Sequence, residues 1–161
     1  LIKLWEDKHA NRNGDNVPTD INTCIDMDTK DLEPERTQYQ KLRTKYANPI
    51  NKPKKGIFCN VEFFETHRCT ELFFLYYFRY TSRSYEDQES LLKDLNKSVE
   101  YRKAIDFFIK SKGLHSYFER NGGKLTTAVV NAGRSMMEKE ESDKAYTYSE
   151  LGRLMRMLEA L

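Results

Sequence analysis

Thiolate and imidazole are the side chains that bind zinc most readily, and Cys59, His67 and Cys69 stand within one short stretch of the chain. Their spacing does not make a zinc site. A closed tetrahedral shell needs a second Cys/His pair, which is absent, and on a helix His67 and Cys69 would face different ways. Alternating carboxylates suit calcium, and Asp20, Asp26, Asp28, Asp31 and Glu33 fall in turn-rich sequence. A calcium loop wants Gly at its sixth position and Glu at its twelfth. Counting from Asp20 puts Ile25 and Asp31 there, and counting from Asp26 puts Asp31 and Thr37, so the segment reads as a solvated loop. No metal is expected.

Nucleophilic chemistry finds no better footing. Gly-x-Ser-x-Gly is missing, Cys24, Cys59 and Cys69 lack a local catalytic signature, and His9, His67 and His115 sit in unrelated contexts. The Gly-rich patterns that cradle phosphates in nucleotide sites are also absent. Asn121-Gly122-Gly123-Lys124 has the makings of a small anion nest, but a turn between helices explains it more simply. The sequence therefore predicts neither an enzyme nor a bound cofactor.

Base stacking is the remaining chemistry. Phe63, Phe64, Leu72 to Phe78, Tyr80 and Tyr85 crowd one region, beside Arg79, Arg83, Arg102 and Lys103. The run from Leu72 to Phe78 has no polar side, and Glu86, Asp87, Glu89 and Asp94 balance the cations. These rings are expected to be core. A strand over Leu72 to Tyr80 would need a partner strand, and none is evident, so a helix is predicted.

The elements that must surround this core follow from size and periodicity. With 161 residues, 39% of them hydrophobic and 12% aromatic, the chain can close one modest core, while 32% charged residues leave material for polar extensions. A net charge of +2 gives no bulk attraction to nucleic acid or anionic membrane. The apolar run is too short to span a bilayer, and the opening Leu1-Ile2-Lys3-Leu4-Trp5 is charged too soon for a secretory leader. An odd cysteine count without a disulfide framework points to a reducing, intracellular, cytoplasm-like compartment.

Residues 10–29 read as a long loop or arm. Asp31 and Pro34 open a helix through Tyr39, Leu42 and Tyr46 that stops before Asn48-Pro49. Lys52, Lys54 and Lys55, beside Pro49 and Pro53, form the clearest basic cluster and read as a linker able to touch phosphate. After residue 56 short helices are expected. Asn60 caps a turn holding Phe63 and Phe64, and Thr70 caps the aromatic helix. Ser84 to Asp87 form a capping box ahead of Leu91, Leu92 and Leu95. Ser98 precedes Val99, Ala104, Ile105, Phe108 and Ile109, with Gly113 as the stop. Thr126 or Thr127 caps a helix with Val129, Val130, Met136 and Met137. The last helix carries Leu151, Leu154, Met155, Leu158 and Leu161 in one stripe.

The segment Tyr117-Phe-Glu-Arg-Asn-Gly-Gly-Lys-Leu-Thr-Thr-Ala-Val-Val-Asn-Ala-Gly-Arg-Ser135 resembles the helix-turn-helix modules of phage small-terminase and transposase-like proteins. That resemblance implies close helix approach at Ala128 and Ala132, a turn at Gly133, Ser135 capping a reading helix, and Lys124 and Arg134 available to nucleic acid. Beyond Ser135 the chain departs from the pattern, because Glu138, Glu140 and Glu141 would repel phosphate.

These observations predict an all-α fold, a compact bundle of short helices with a polar, largely irregular N-terminal arm. Residues 1–55 would hold the arm and one peripheral helix, and residues 56–161 the aromatic-rich helical domain. The expected function is that of a non-catalytic interaction or structural subunit of a larger assembly. Its contacts would be the arm and the stripe of Leu151, Leu154, Met155, Leu158 and Leu161, with other protein subunits or a second copy as partners and no membrane. A helix-turn-helix nucleic-acid-binding protein of viral type is the alternative.

Overall fold

A computed structural model of the chain describes residues 21–27, 30, 32–55, 57–142 and 147–160. Strand β1 (Ile21–Asp26) is followed by helix α1 (Glu35–Lys45), β2 (Ile50–Lys52), a single 3-10 turn (Pro53–Lys55), β3 (Ile57–Cys59) and β4 (Val61–Thr66). Six further helices complete the described chain: α2 (Glu71–Tyr76), α3 (Gln88–Leu95), α4 (Ile105–Ser111), α5 (Leu114–Arg120), α6 (Leu125–Glu140) and α7 (Leu151–Glu159). Strands β1 and β4 form a parallel pair, and β2 and β3 an antiparallel one in which Ile50 faces Cys59 and Lys52 faces Ile57. No helix among the described residues is long and apolar enough to cross a membrane.

The expectation of an all-α fold is therefore corrected to a mixed α/β architecture. The cause lies in residues 57–66, Ile-Phe-Cys-Asn-Val-Glu-Phe-Phe-Glu-Thr, which are rich in the β-branched and aromatic types that suit a pleated, half-buried surface. In β3 the alternation is plain: Ile57 and Cys59 are buried and Phe58 faces out. Phe63 and Phe64, expected in a helical turn capped by Asn60, lie in β4 instead. Ile21 to Asp26, expected in an irregular arm, forms a strand because a partner some forty residues later supplies its ladder. The rest of that arm, residues 1–20, lies outside the described residues, as do Asp31, expected to cap α1, and Gly56.

The described chain divides into two compact units. One holds residues 21–24 and 30–63, with a small interior of Ile57, Cys59, Val61, Phe63 and Tyr39, whose ring meets that of Phe63 edge-on at 6.1 Å. The other takes in residues 25–27 and everything described from Phe64 onward.

In that second unit α2 is the central rod, packed between α3 and α6, with α7 laid across α6. Leu72, Leu75 and Tyr76 are wholly buried. Phe118 from α5 is the hub of the rings, 5.3 Å from Phe74, 5.2 Å from Tyr77 and 5.8 Å from Phe78. Gly123 lets the turn before α6 press onto this cluster, since a Cβ there would stand 3.0 Å from the Phe78 ring. Gly152 does the same where α7 crosses α6, where a Cβ would come within 2.7 Å of the Ala132 Cβ.

Local signals moved by a few residues. Asp87, not Ser84, caps α3, accepting from the Ser90 backbone N–H at 2.7 Å. The chain stays extended from Val99 to Lys103, and α4 begins only at Ile105. Lys124, not Thr126 or Thr127, precedes α6, which runs unbroken through Gly133.

One connection joins distant parts of the second unit. Residues 148–150 return beside the end of β4, where the His67 N–H donates to the Tyr148 carbonyl at 2.9 Å and the Glu150 N–H to the Glu65 carbonyl at 2.8 Å. The Glu65 N–H donates to the Glu150 carboxylate at 2.8 Å, and Thr66 pairs with Ser149 as an antiparallel bridge.

Candidate functional site

Parallel strands offer ligands a crevice at their carboxyl ends, where loops diverge and backbone groups are left to be satisfied. In this chain that end carries Asp26 on β1 and, just beyond β4, Arg68 and Cys69. With Glu86, Asp87, Gln88 and Lys103 they line a polar cleft of about 250 Å³. The Thr70 hydroxyl donates to Asp26 at 2.7 Å, fixing that carboxylate against the entrance to α2.

Glu71 forms the floor beneath this lining and is almost completely buried. Its carboxylate accepts from the Tyr101 hydroxyl at 3.1 Å and the Gln88 amide at 3.2 Å, and pairs with the Lys103 ammonium at 3.2 Å. Burial by itself would raise the Glu71 pKa, but the Cys69 thiol, a backbone N–H and the Lys103 charge outweigh it, and the group is held below its ordinary value. Burial, then the neighbouring Glu71, pushes the Cys69 thiol up to about 12, so it is an inert neutral group at physiological pH. Tyr101 is raised for the same two reasons. Burial works against the Lys103 ammonium, yet attraction from Glu71 keeps its pKa above the usual lysine value.

The cleft is thus an ionic cluster whose members already satisfy one another. Even Asp87 spends one carboxylate oxygen on the cap of α3. Among the described residues no group of three His, Cys, Asp or Glu side chains is arranged to hold a metal ion. Cys59 belongs to one unit and His67 and Cys69 to the other.

The stripe on α7 divides along its length. Leu151 and Leu154 are buried in the interior of their own unit, Met155 packs against its edge, Leu158 is half exposed, and Leu161 lies outside the described residues. Lys124 is exposed and its N–H donates to the Tyr77 carbonyl at 3.0 Å. Arg134 lies 3.9 Å over the Tyr80 ring and bonds Glu138 at 2.8 Å. Lys52 ends β2, while Lys54 and Lys55 lie in the 3-10 turn after it. Lys124 and Arg134 share the second unit, and the three lysines sit in the first.

Two features escaped the sequence reading. The cleft could have been sought from Asp26 standing at the end of Ile21-Asn-Thr-Cys-Ile, had that run been taken as a strand. The second is an apolar face on α4. Ile105 is 78% exposed, Ile109 71% and Phe108 38%, at the i, i+3, i+4 spacing expected of a helix face turned inward.

The parallel pair and the helices define a mixed α/β protein, with a polar cleft at the carboxyl end of the pair. The family follows from the sequence itself: residues 3–158 match the model of the RloB-like proteins, and the chain belongs to that family. No curated protein and no solved structure matches it.

Proposed function

We propose that this RloB-like chain is a non-catalytic interaction subunit of a larger protein assembly, and that its principal contact is the apolar face of α4. The observation that carries the reading is the outward display of Ile105, Phe108 and Ile109 on a single helix face. Water-facing apolar clusters of this kind are costly unless a partner covers them. Around the face lie Arg102, Lys110 and Lys112 against the carboxylates of Asp106 and Glu100, an excess of one positive charge, so the partner it fits is an apolar surface with carboxylates at its rim. A reducing, intracellular setting fits three cysteines with no disulfide among them.

The test places a photo-crosslinking residue at Ile109 in the native host, with a second at Glu89 on α3 as control. A discrete crosslinked protein species at position 109, absent from the control and lost in Ile105→Asp, supports the reading. Equal labelling at both positions overturns it.

The cleft favours a second reading, because Asp26 and Cys69 converge with Lys103 at the carboxyl ends of parallel strands, and Cys69, Lys103 and the underlying Glu71 carry shifted pKa values, as ligand sites often do. Carboxylates beside Arg68 and Lys103 suit a magnesium-bound phosphate compound. A rise in melting temperature with magnesium and a nucleoside triphosphate, lost in Lys103→Gln, would favour this reading; no rise would remove it.

A further inference from the structure

Three cations in the second unit share one carboxylate. Arg79 Nη2 lies 3.4 Å and Arg83 Nη1 3.2 Å from one oxygen of Asp94, and Lys97 Nζ lies 2.7 Å from the other. The Tyr85 hydroxyl donates to the same carboxylate at 2.8 Å. None of the three cations forms an ion pair with any other carboxylate among the described residues. One negative charge therefore answers three positive ones, leaving an excess of two.

This surplus is held in place. The Arg79 N–H is anchored to the Leu75 carbonyl at the end of α2, the Arg83 guanidinium lies 5.2 Å over the Tyr85 ring, and Lys97 is tied by its backbone to the Asp94 carbonyl. The side chains nevertheless reach solvent, with exposures of 42%, 57% and 71% for Arg79, Arg83 and Lys97. Like charges fixed side by side repel one another, and an added anion relieves that repulsion without any ordering of long side chains. Arginine forks and an ammonium together match the several oxygens of a phosphate group.

We infer that Arg79, Arg83 and Lys97, gathered by Asp94, form a phosphate-binding surface. The phosphate belongs either to a nucleic-acid backbone or to a small phosphate compound; the chemistry of capture is the same. The site is separate from the α4 face and does not require a helix-turn-helix, since it reads charge and not base edges.

The test compares wild-type protein with Arg83→Gln/Lys97→Gln, and with Lys41→Gln/Lys45→Gln, which removes the same charge from the exposed surface of α1. The probes are a short fluorescein-labelled single strand, its duplex, and pyrophosphate. At low salt wild type should bind, and Arg83→Gln/Lys97→Gln should bind at least about tenfold more weakly, with the slope of log K against log salt for the strand reduced by about 1.5–2. Binding of the strand or duplex assigns the surface to nucleic acid; binding of pyrophosphate alone assigns it to small phosphate compounds. Absence of binding by wild type to every probe overturns the inference, as does an equal loss in the Lys41/Lys45 variant. Should the double variant melt early, Lys97→Gln alone carries the comparison.

Discussion

Two carboxylates in the same unit, Glu71 and Asp94, are both shielded from water and both surrounded by donors, yet they are balanced in opposite ways. Glu71 meets one cation, Lys103, and otherwise the neutral donors Tyr101, Gln88 and Cys69, so its neighbourhood closes on itself. Asp94 meets three cations and one hydroxyl, so its neighbourhood is overcompensated. Their covers differ as well. Glu71 lies beneath Tyr101 and Gln88 with one half-exposed lysine, whereas Asp94 is roofed by three long side chains that reach solvent. Glu71 spends its charge on one cation, while the inferred phosphate site would use the surplus that Asp94 gathers.

That contrast can be broken by mutation. The largest effect is expected from Glu71→Ala, which leaves the buried Tyr101 hydroxyl and its neighbouring donors facing a cavity while the half-exposed Lys103 turns to water, at a cost of about 2–4 kcal/mol in urea denaturation. Asp94→Asn should cost less, about 1–3 kcal/mol, because its three cations can turn back into water. An equal or reversed order would mean that the two neighbourhoods are energetically alike.

Acid should separate wild type from the Asp94 variant. The Lys97 ammonium is the main cause that holds Asp94 down to about 2, against the roughly 3.8 of an ordinary aspartate. A carboxylate with a lowered folded pKa stabilises the fold fully above its unfolded value and loses that contribution as pH falls towards the folded one. Wild type should therefore lose stability between about pH 4 and pH 2, and Asp94→Asn should show a flatter profile there. Identical profiles would remove Asp94 from the acid response. The smallest effect is expected at the surface pair Lys93–Glu89, 2.8 Å apart and open to solvent: Glu89→Gln should leave the melting temperature unchanged within error.

Much of the helical framework was legible in the sequence. Pro34 and Asn48-Pro49 bracket α1 closely, Asn121-Gly122-Gly123 does separate two helices, and the apolar run from Leu72 is packed inside. Such features announce themselves within a few residues. The parallel pairing of β1 with β4 does not, because Ile21 to Asp26 shows neither alternation nor a contiguous apolar block and depends on a partner distant in sequence. With that pairing hidden, so was the cleft at its end. The face of α4 was misread for a different reason: Ile105, Phe108 and Ile109 have the spacing of a core stripe, and periodicity cannot say whether the surface that covers a stripe is in the same molecule.

The return of residues 148–150 to the edge of β4 bears on how the chain is made. That strand edge is complete only when a segment more than eighty residues downstream has left the ribosome, since Glu65 and His67 wait for Glu150 and Tyr148. Until then β4 presents unpaired backbone groups, which is the kind of edge that recruits stray strands. The second unit should therefore acquire its native state late and all at once, and a ribosome stalled before Tyr148 should carry a nascent chain that proteases and chaperones still recognise as unfinished.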